Sequence, residues 1–311
     1  MPEPLLKAEN LFKKFTRLFT QTISVHDVTF TLNRGEIVTL IGENGAGKST
    51  TFEMISGMLR PNSGKISLFN DETGEWMDIT SMPLYQRARY GIGYLPQRPS
   101  IFANLTTRQN LFGIMELMDS KVLMRRIKDF DENIQTKEEF CTRLLEKFGL
   151  NGVANHKAKS LSGGEKRRLE IARLFIGKPR LVLMDEPYAG VDDSAIGMCE
   201  KLFREVRDSG VAFLIVDHRI PEMMRLADRI IYMKKGNILF SGTKEHVLSQ
   251  PGIEDTLLKN FAISGPMYEN APVISTSEDD CAATIEDSED SVVIRHPNVV
   301  LKGDANVKID D

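Results

Sequence analysis

The stretch "EIVTLIGENGAGKST", Glu36–Thr50, decides the fold. Its first half is a short β-branched run ending in glycine, and the following "KSTTFEMISGML" suits a helix. Gly42–Ser49 satisfies G-x-x-x-x-G-K-[ST] between that strand and that helix, which is where the motif works mechanically. The glycines let successive backbone N–H groups face a phosphate. Lys48 can reach the β- and γ-phosphates of a nucleotide, and the Ser49 hydroxyl can ligate Mg2+. The phosphate-binding set is therefore Gly42, Glu43, Asn44, Gly45, Ala46, Gly47, Lys48, Ser49 and Thr50.

Further along, "LVLMDEP" (Leu181–Pro187) and "VAFLIVDH" (Val211–His218) are apolar runs with polar ends, the pattern of buried parallel strands whose carboxyl ends face a site. Asp185 is placed to hold Mg2+, and Glu186 can polarise an attacking water as general base. "GKISLFN" (Gly64–Asn70) and "GIGYLP" (Gly91–Pro96) are shorter strand candidates, and "RIIYMKKGNILFSG" (Arg229–Gly242) reads as a hairpin. From about Leu111 to Leu150, Leu and Met recur at three- and four-residue spacing among charges, which predicts helices. An α/β body with a helical insertion over about 100–165 follows, closing near residue 264.

Composition narrows the class. The 311 residues are 41% hydrophobic and 27% charged, as in ordinary globular proteins. No apolar run approaches the roughly 20 residues of a spanning helix. Cys141, Cys199 and Cys281 form no CxxC pair, and the five histidines do not cluster, so neither a zinc site nor a disulfide framework is expected. The net charge of −4 conceals a tail, residues 265–311, carrying −8, which leaves the body at +4. Low hydrophobicity and high charge predict disorder for that tail. No basic stripe points to nucleic acid.

A second glycine turn, "LSGGEKRRLEIARLF" from Leu161, opens a positively charged helix far downstream of the first. With "YLPQRPS", "YAGVDD" and "IVDHR" it completes a series of motifs, from about Lys7 to Phe261, that resembles the ATP-binding cassettes of ABC transporters in content and order. The resemblance implies a RecA-like P-loop NTPase core with an N-terminal antiparallel β subdomain and an inserted α-helical subdomain. It implies hydrolysis of ATP with Mg2+, with Glu186, His218 and Gln97 catalytic and Ser49, Gln97 and Asp185 around the metal. Two cassettes are expected to pair head to tail. Ser162, Gly163, Gly164 and Asp192 of each then serve the nucleotide of the other, which explains two glycine turns in one chain. Adenine stacks on an aromatic near the first strand, Phe15 with Phe19 as competitor.

"LYQRARYGIGYLPQRPSIFANLTTRQNL", "RRLEIARLF" and "DEPYAGVD" resemble the ATPases of bacterial lipopolysaccharide export, with branched-chain amino-acid importer ATPases next and non-transport cassettes as a further class. Such a subunit sits peripherally on the cytoplasmic face of the membrane. Transmembrane permease subunits are expected to dock near Gln97–Phe112, where Ile101, Phe102 and Leu105 offer an apolar socket.

Overall fold

The computed structural model describes residues 3–17 and 20–250, and beyond these only four short strand segments between 273 and 300. The chain begins with a long hairpin, β1 (Pro4–Arg17) and β2 (Thr20–Asn33), and enters the phosphate-loop unit through β3 (Ile37–Gly42) and α1 (Lys48–Ser56). β4 (Ser63–Asn70), β5 (Glu75–Asp78), α2 (Leu84–Arg89) and β6 (Ile92–Leu95) follow. The helical insertion contains α3 (Thr107–Glu116), α4 (Ser120–Phe130) and α5 (Lys137–Lys147). It returns to the core through α6 (Gly163–Ile176) and β7 (Leu181–Asp185). Then come α7 (Asp193–Asp208), β8 (Ala212–Val216), α8 (Ile220–Leu226), the hairpin β9 (Arg229–Lys234) and β10 (Asn237–Gly242), and α9 (Lys244–Leu248).

Two sheets result. The first has the order β2-β1-β4-β5, with antiparallel pairing throughout. The second has the order β10-β9-β3-β8-β7-β6 and is parallel except at its β9–β10 edge. This is the P-loop NTPase architecture with its β subdomain and its helical insertion.

Residue parity along the central strands divides the core. Ile37 and Ile41, Val182 and Met184, and Phe213 and Ile215 pack with Leu111, Leu144, Leu169 and Phe203 of the helices on one face. Val38 and Leu40, Leu181 and Leu183, and Leu214 and Val216 pack with Phe52 and Ile55 of α1 and with Leu6 and Ile66 of the antiparallel sheet on the other. Strands buried on both faces have no polar side to show, hence their continuous apolar runs.

Register sets the site. Leu40 and Asp185 both lie opposite Val216, so the phosphate loop, the Asp-Glu pair and His218 all emerge at the carboxyl ends of neighbouring strands. That is the crevice where open α/β sheets bind ligands.

Among the described residues, no helix is long and apolar enough to cross a membrane. The tail expected to be disordered falls mostly outside the described residues. Its segments Val273–Thr276, Ala283–Glu286, Arg295–His296 and Val299–Val300 pair only with each other.

Candidate functional site

The phosphate loop is wound so tightly that side chains cannot replace Gly42 and Gly47. A Cβ on Gly42, at φ 149°, would lie 2.1 Å from the Met233 carbonyl oxygen, and one on Gly47, at φ 96°, would lie 2.5 Å from that of Ser24. β2 and the β9–β10 turn thus brace the loop, and the Gly236 N–H donates to the Ala46 carbonyl at 3.0 Å. Gly47 caps α1 without any side-chain acceptor, so the first N–H groups of that helix stay available to an anion. The buried Lys48 folds back over the loop, its Nζ donating to the carbonyls of Gly42 at 2.7 Å and Glu43 at 3.0 Å. Burial holds its ammonium below the ordinary lysine value.

Opposite stands a concentration of negative charge. Asp185 continues the parity of Leu181 and Leu183, which carries its side chain toward the α1 face. Burial raises the Asp185 carboxyl above its ordinary value, and the charges of Glu186, Glu53 and Asp217 push the same way.

Glu186 breaks the strand pattern at φ 45°, the left-handed region that costs an L-residue about 1–2 kcal/mol. Its N–H is tied to the Val216 carbonyl at 2.7 Å. The turn brings its carboxylate between two partners. His218 Nε2 lies 3.1 Å from one oxygen, and Gln97 Nε2 donates to the other.

The signature turn is equally local in origin. Ser162 caps α6 in a reciprocal box with Glu165: Oγ accepts the Glu165 N–H at 3.2 Å, and the Glu165 carboxylate accepts the Ser162 N–H at 2.8 Å. Capping uses one lone pair of the hydroxyl and leaves its proton to donate outward. Asp192 likewise caps α7, accepting the Ala195 N–H at 3.0 Å. Sequence reading assigned the signature glycines a phosphate role only, but packing demands them too. A Cβ on Gly163 would sit 1.9 Å from the Gly190 carbonyl oxygen, and one on Gly164 would sit 2.6 Å from Ala195 Cβ.

Other positioning groups escaped the sequence reading. Arg167 and Glu170 form a fully buried pair at 3.0 Å. Arg167 also donates to the Pro96 carbonyl at 2.9 Å, and Glu170 accepts the Ser100 N–H at 2.6 Å, so one turn of α6 fixes both flanks of Gln97. Two opposite charges three residues apart on a helix otherwise read as a solvated face. Asp217, buried next to His218, accepts the N–H groups of Arg219 at 2.9 Å and Tyr188 at 3.3 Å, and so joins the loops after β7 and β8.

Phe15 is 43% exposed near the end of β1, with Lys13 Nζ 5.5 Å from its ring centre. It is not a core residue. Its competitor Phe19 lies outside the described residues. Of the expected socket, Phe102 and Leu105 are exposed, whereas Ile101 packs against the core.

A phosphate loop facing a strand-ending Asp-Glu pair, with glutamine and histidine converging on the glutamate, defines a nucleotide-hydrolysing cassette. The chain belongs to the ABC transporter family and is one of its ATPases: the family's profile matches residues 25–189. The lipopolysaccharide export system ATP-binding protein LptB of Acidithiobacillus ferridurans is 36% identical over 82% of this chain and 96% of that protein. LptB of Escherichia coli strain K12 is 37% identical over 75% and 90%. Among solved structures, an ATP-binding cassette of an ABC transporter in its ADP conformation superposes with a TM-score of 0.66 at 28% identity, covering 83% of this chain and 98% of that one.

Proposed function

We propose that two copies of this chain close on two ATP molecules, and that the cycle of closure and hydrolysis drives transmembrane subunits in the export of lipopolysaccharide or a related lipid. The observation that carries the enzymatic part is the Glu186 carboxylate held between Gln97 and His218 beside the phosphate loop. In this reading Glu186 takes the proton of the attacking water, His218 orients Glu186 and the γ-phosphate, and Gln97 reports on both. The His218 side chain is 63% exposed and has room to turn toward the phosphate.

The glycine cradle and the buried Lys48 fit a polyphosphate, and the oxygen donors of Ser49, Gln97 and Asp185 are of the kind Mg2+ takes alongside substrate phosphates. Ser49, Gln97 and Asp185 would hold Mg2+, which when bound neutralises charge on the transferring phosphate. Phe15 offers its π-face to the adenine. From the partner copy, Ser162 and the N–H groups of Gly163 and Gly164 face the γ-phosphate, and Asp192 lines the same seam.

Residues 1–264 form the cassette in this reading, with 265–311 as an appended acidic tail. Transport is supported by the similarity to the LptB proteins and by a cleft of about 240 Å3 between the core and the helical insertion. Ile92, Leu95, Ile114 and Leu174 line it, and the exposed Phe102 stands nearby with Arg173 4.9 Å from its ring. A short helix of a permease fits there, placing the protein on the cytoplasmic side of a membrane. Gentle detergent purification from native membranes tests the assignment. Paired lipopolysaccharide-export permeases are expected. Amino-acid permeases would transfer the chain to the importer class, and recovery without membrane proteins would overturn the transport reading.

A further inference from the structure

At the amino ends of the central strands, opposite the phosphate loop, lies a cavity of about 530 Å3. Pro179 and Arg180, which precede β7, and Val211, which precedes β8, contribute its core side. The helical insertion and the end of α6 supply Arg126, Phe130, Lys147 and Phe175. The volume falls within the roughly 300–1,000 Å3 typical of small-molecule sites.

Its charges do not balance. Arg34, Arg126, Lys147, Lys178 and Arg180 face only Asp71 and Asp129 across the cavity. Both carboxylates are engaged, Asp71 by Arg34 and Arg180 and Asp129 by Lys178 at 2.8 Å. Among the described residues neither Arg126 nor Lys147 has a carboxylate within ion-pair distance, although Arg126 shares the field of Asp129. The Nε groups of Arg126 and Arg180 are buried without a hydrogen-bond acceptor. Beside these cations is an aromatic wall: Lys147 Nζ lies 5.4 Å from the Phe130 ring centre and 5.7 Å from that of Phe175.

We propose that this cavity binds a small aromatic phosphate ester, with its anionic head on Arg126 and Lys147 and its ring against Phe130 and Phe175. A guanidinium fork suits a phosphate better than an ammonium alone does. The phenyl faces account for a flat body rather than a bare anion. Because the walls belong to both the helical insertion and the core, the occupant ties the two together on the side away from ATP.

Pyridoxal phosphate tests this on the full-length protein, since it is a flat aromatic phosphate whose aldehyde condenses with a nearby lysine. Brief exposure, borohydride reduction and peptide mapping give the labelling rate of each lysine. Lys147 is expected to react about tenfold or more faster than the exposed Lys121, corresponding to about 1.4 kcal/mol of added affinity. Phenyl phosphate should protect Lys147, and Arg126→Ala should abolish the preference while Arg126→Lys restores part of it. Labelling of Lys147 at the rate of Lys121, or indifference to phenyl phosphate, overturns the site. Equal protection by inorganic phosphate overturns the role of the aromatic wall.

Discussion

His218 Nε2 lies 3.1 Å from Glu186 Oε1, so the imidazole stands against the carboxylate beside the phosphate loop. With Gln97 on its other oxygen, Glu186 is held in place from both sides. Glu186→Gln keeps the size and can keep both contacts, but it removes the basic oxygen. ATP hydrolysis should fall by about 10²–10⁴-fold, the range of a lost general base, with ATP binding retained. Phosphate release and ATP titration measure the two effects separately. An ATP-dependent dimer should accumulate on gel filtration, and near-normal turnover would remove Glu186 from the role of base.

Gly163 lies too close to the Gly190 carbonyl to carry a side chain. Gly163→Ala forces the start of α6 away from the loop before α7, and overpacking of this kind costs about 1–3 kcal/mol. Both halves of the seam that would face a partner's nucleotide shift with it. Turnover should drop along with the melting temperature. Ser162→Arg also loses the hydroxyl cap of α6, about 0.5–2 kcal/mol, so its melting temperature should fall by a few degrees at most while the ATP-dependent dimer is blocked outright. Full hydrolysis by the Ser162→Arg protein would refute the head-to-tail arrangement.

Phe15 is exposed, so its removal should scarcely affect folding. Base stacking on an aromatic is worth about 1–3 kcal/mol, so Phe15→Ala should weaken ATP binding by about tenfold or more. Phe15→Tyr should bind like the parent protein, because the ring face is kept. Fluorescence titration with a labelled ATP analogue checks both. An unchanged affinity in Phe15→Ala would transfer the stacking role to another residue, Phe19 being the first to test.

The parts legible in sequence were those where one residue type has a backbone or chemical reason to stand alone. Gly42 and Gly47 are legible because the loop needs positive φ and close approach, and Lys48 because a phosphate needs a cation. β7 and β8 are legible because burial on both faces removes the polar alternation. The Arg167–Glu170 pair was not, since a buried ion pair and a solvated one are spelled alike along a helix. The second reason for Gly163 was hidden as well. Its neighbour Gly190 is distant in sequence, and only the packing of α6 on the loop before α7 brings them together. β5 and α2 also went unnoticed, being too short for a periodicity to register.

α2 carries a heavily hydrogen-bonded side chain outside the site. Arg87 is fully buried and donates to four backbone carbonyls: Met82 at 2.8 Å, Met54 at 2.9 Å, Ile55 at 2.6 Å and Thr80 at 3.2 Å. Burial lowers its pKa to about 10, so the guanidinium is still charged at neutral pH. Met54 and Ile55 lie in the last turn of α1, where helical carbonyls run out of intrahelical partners. Arg87 therefore closes the helix that begins with the phosphate loop. Arg87→Ala should strip a donor from each of these carbonyls, leaving Met54 only its Gly57 N–H, and cost about 3 kcal/mol. For a domain of this size that lowers the melting temperature by about 6–12 °C. Arg87→Lys should recover only part, because three donors on one nitrogen cannot span four carbonyls. Calorimetry of the two variants decides the matter. A loss below about 1 kcal/mol in Arg87→Ala would mean that water can replace the guanidinium there, and that α1 is held by its packing alone.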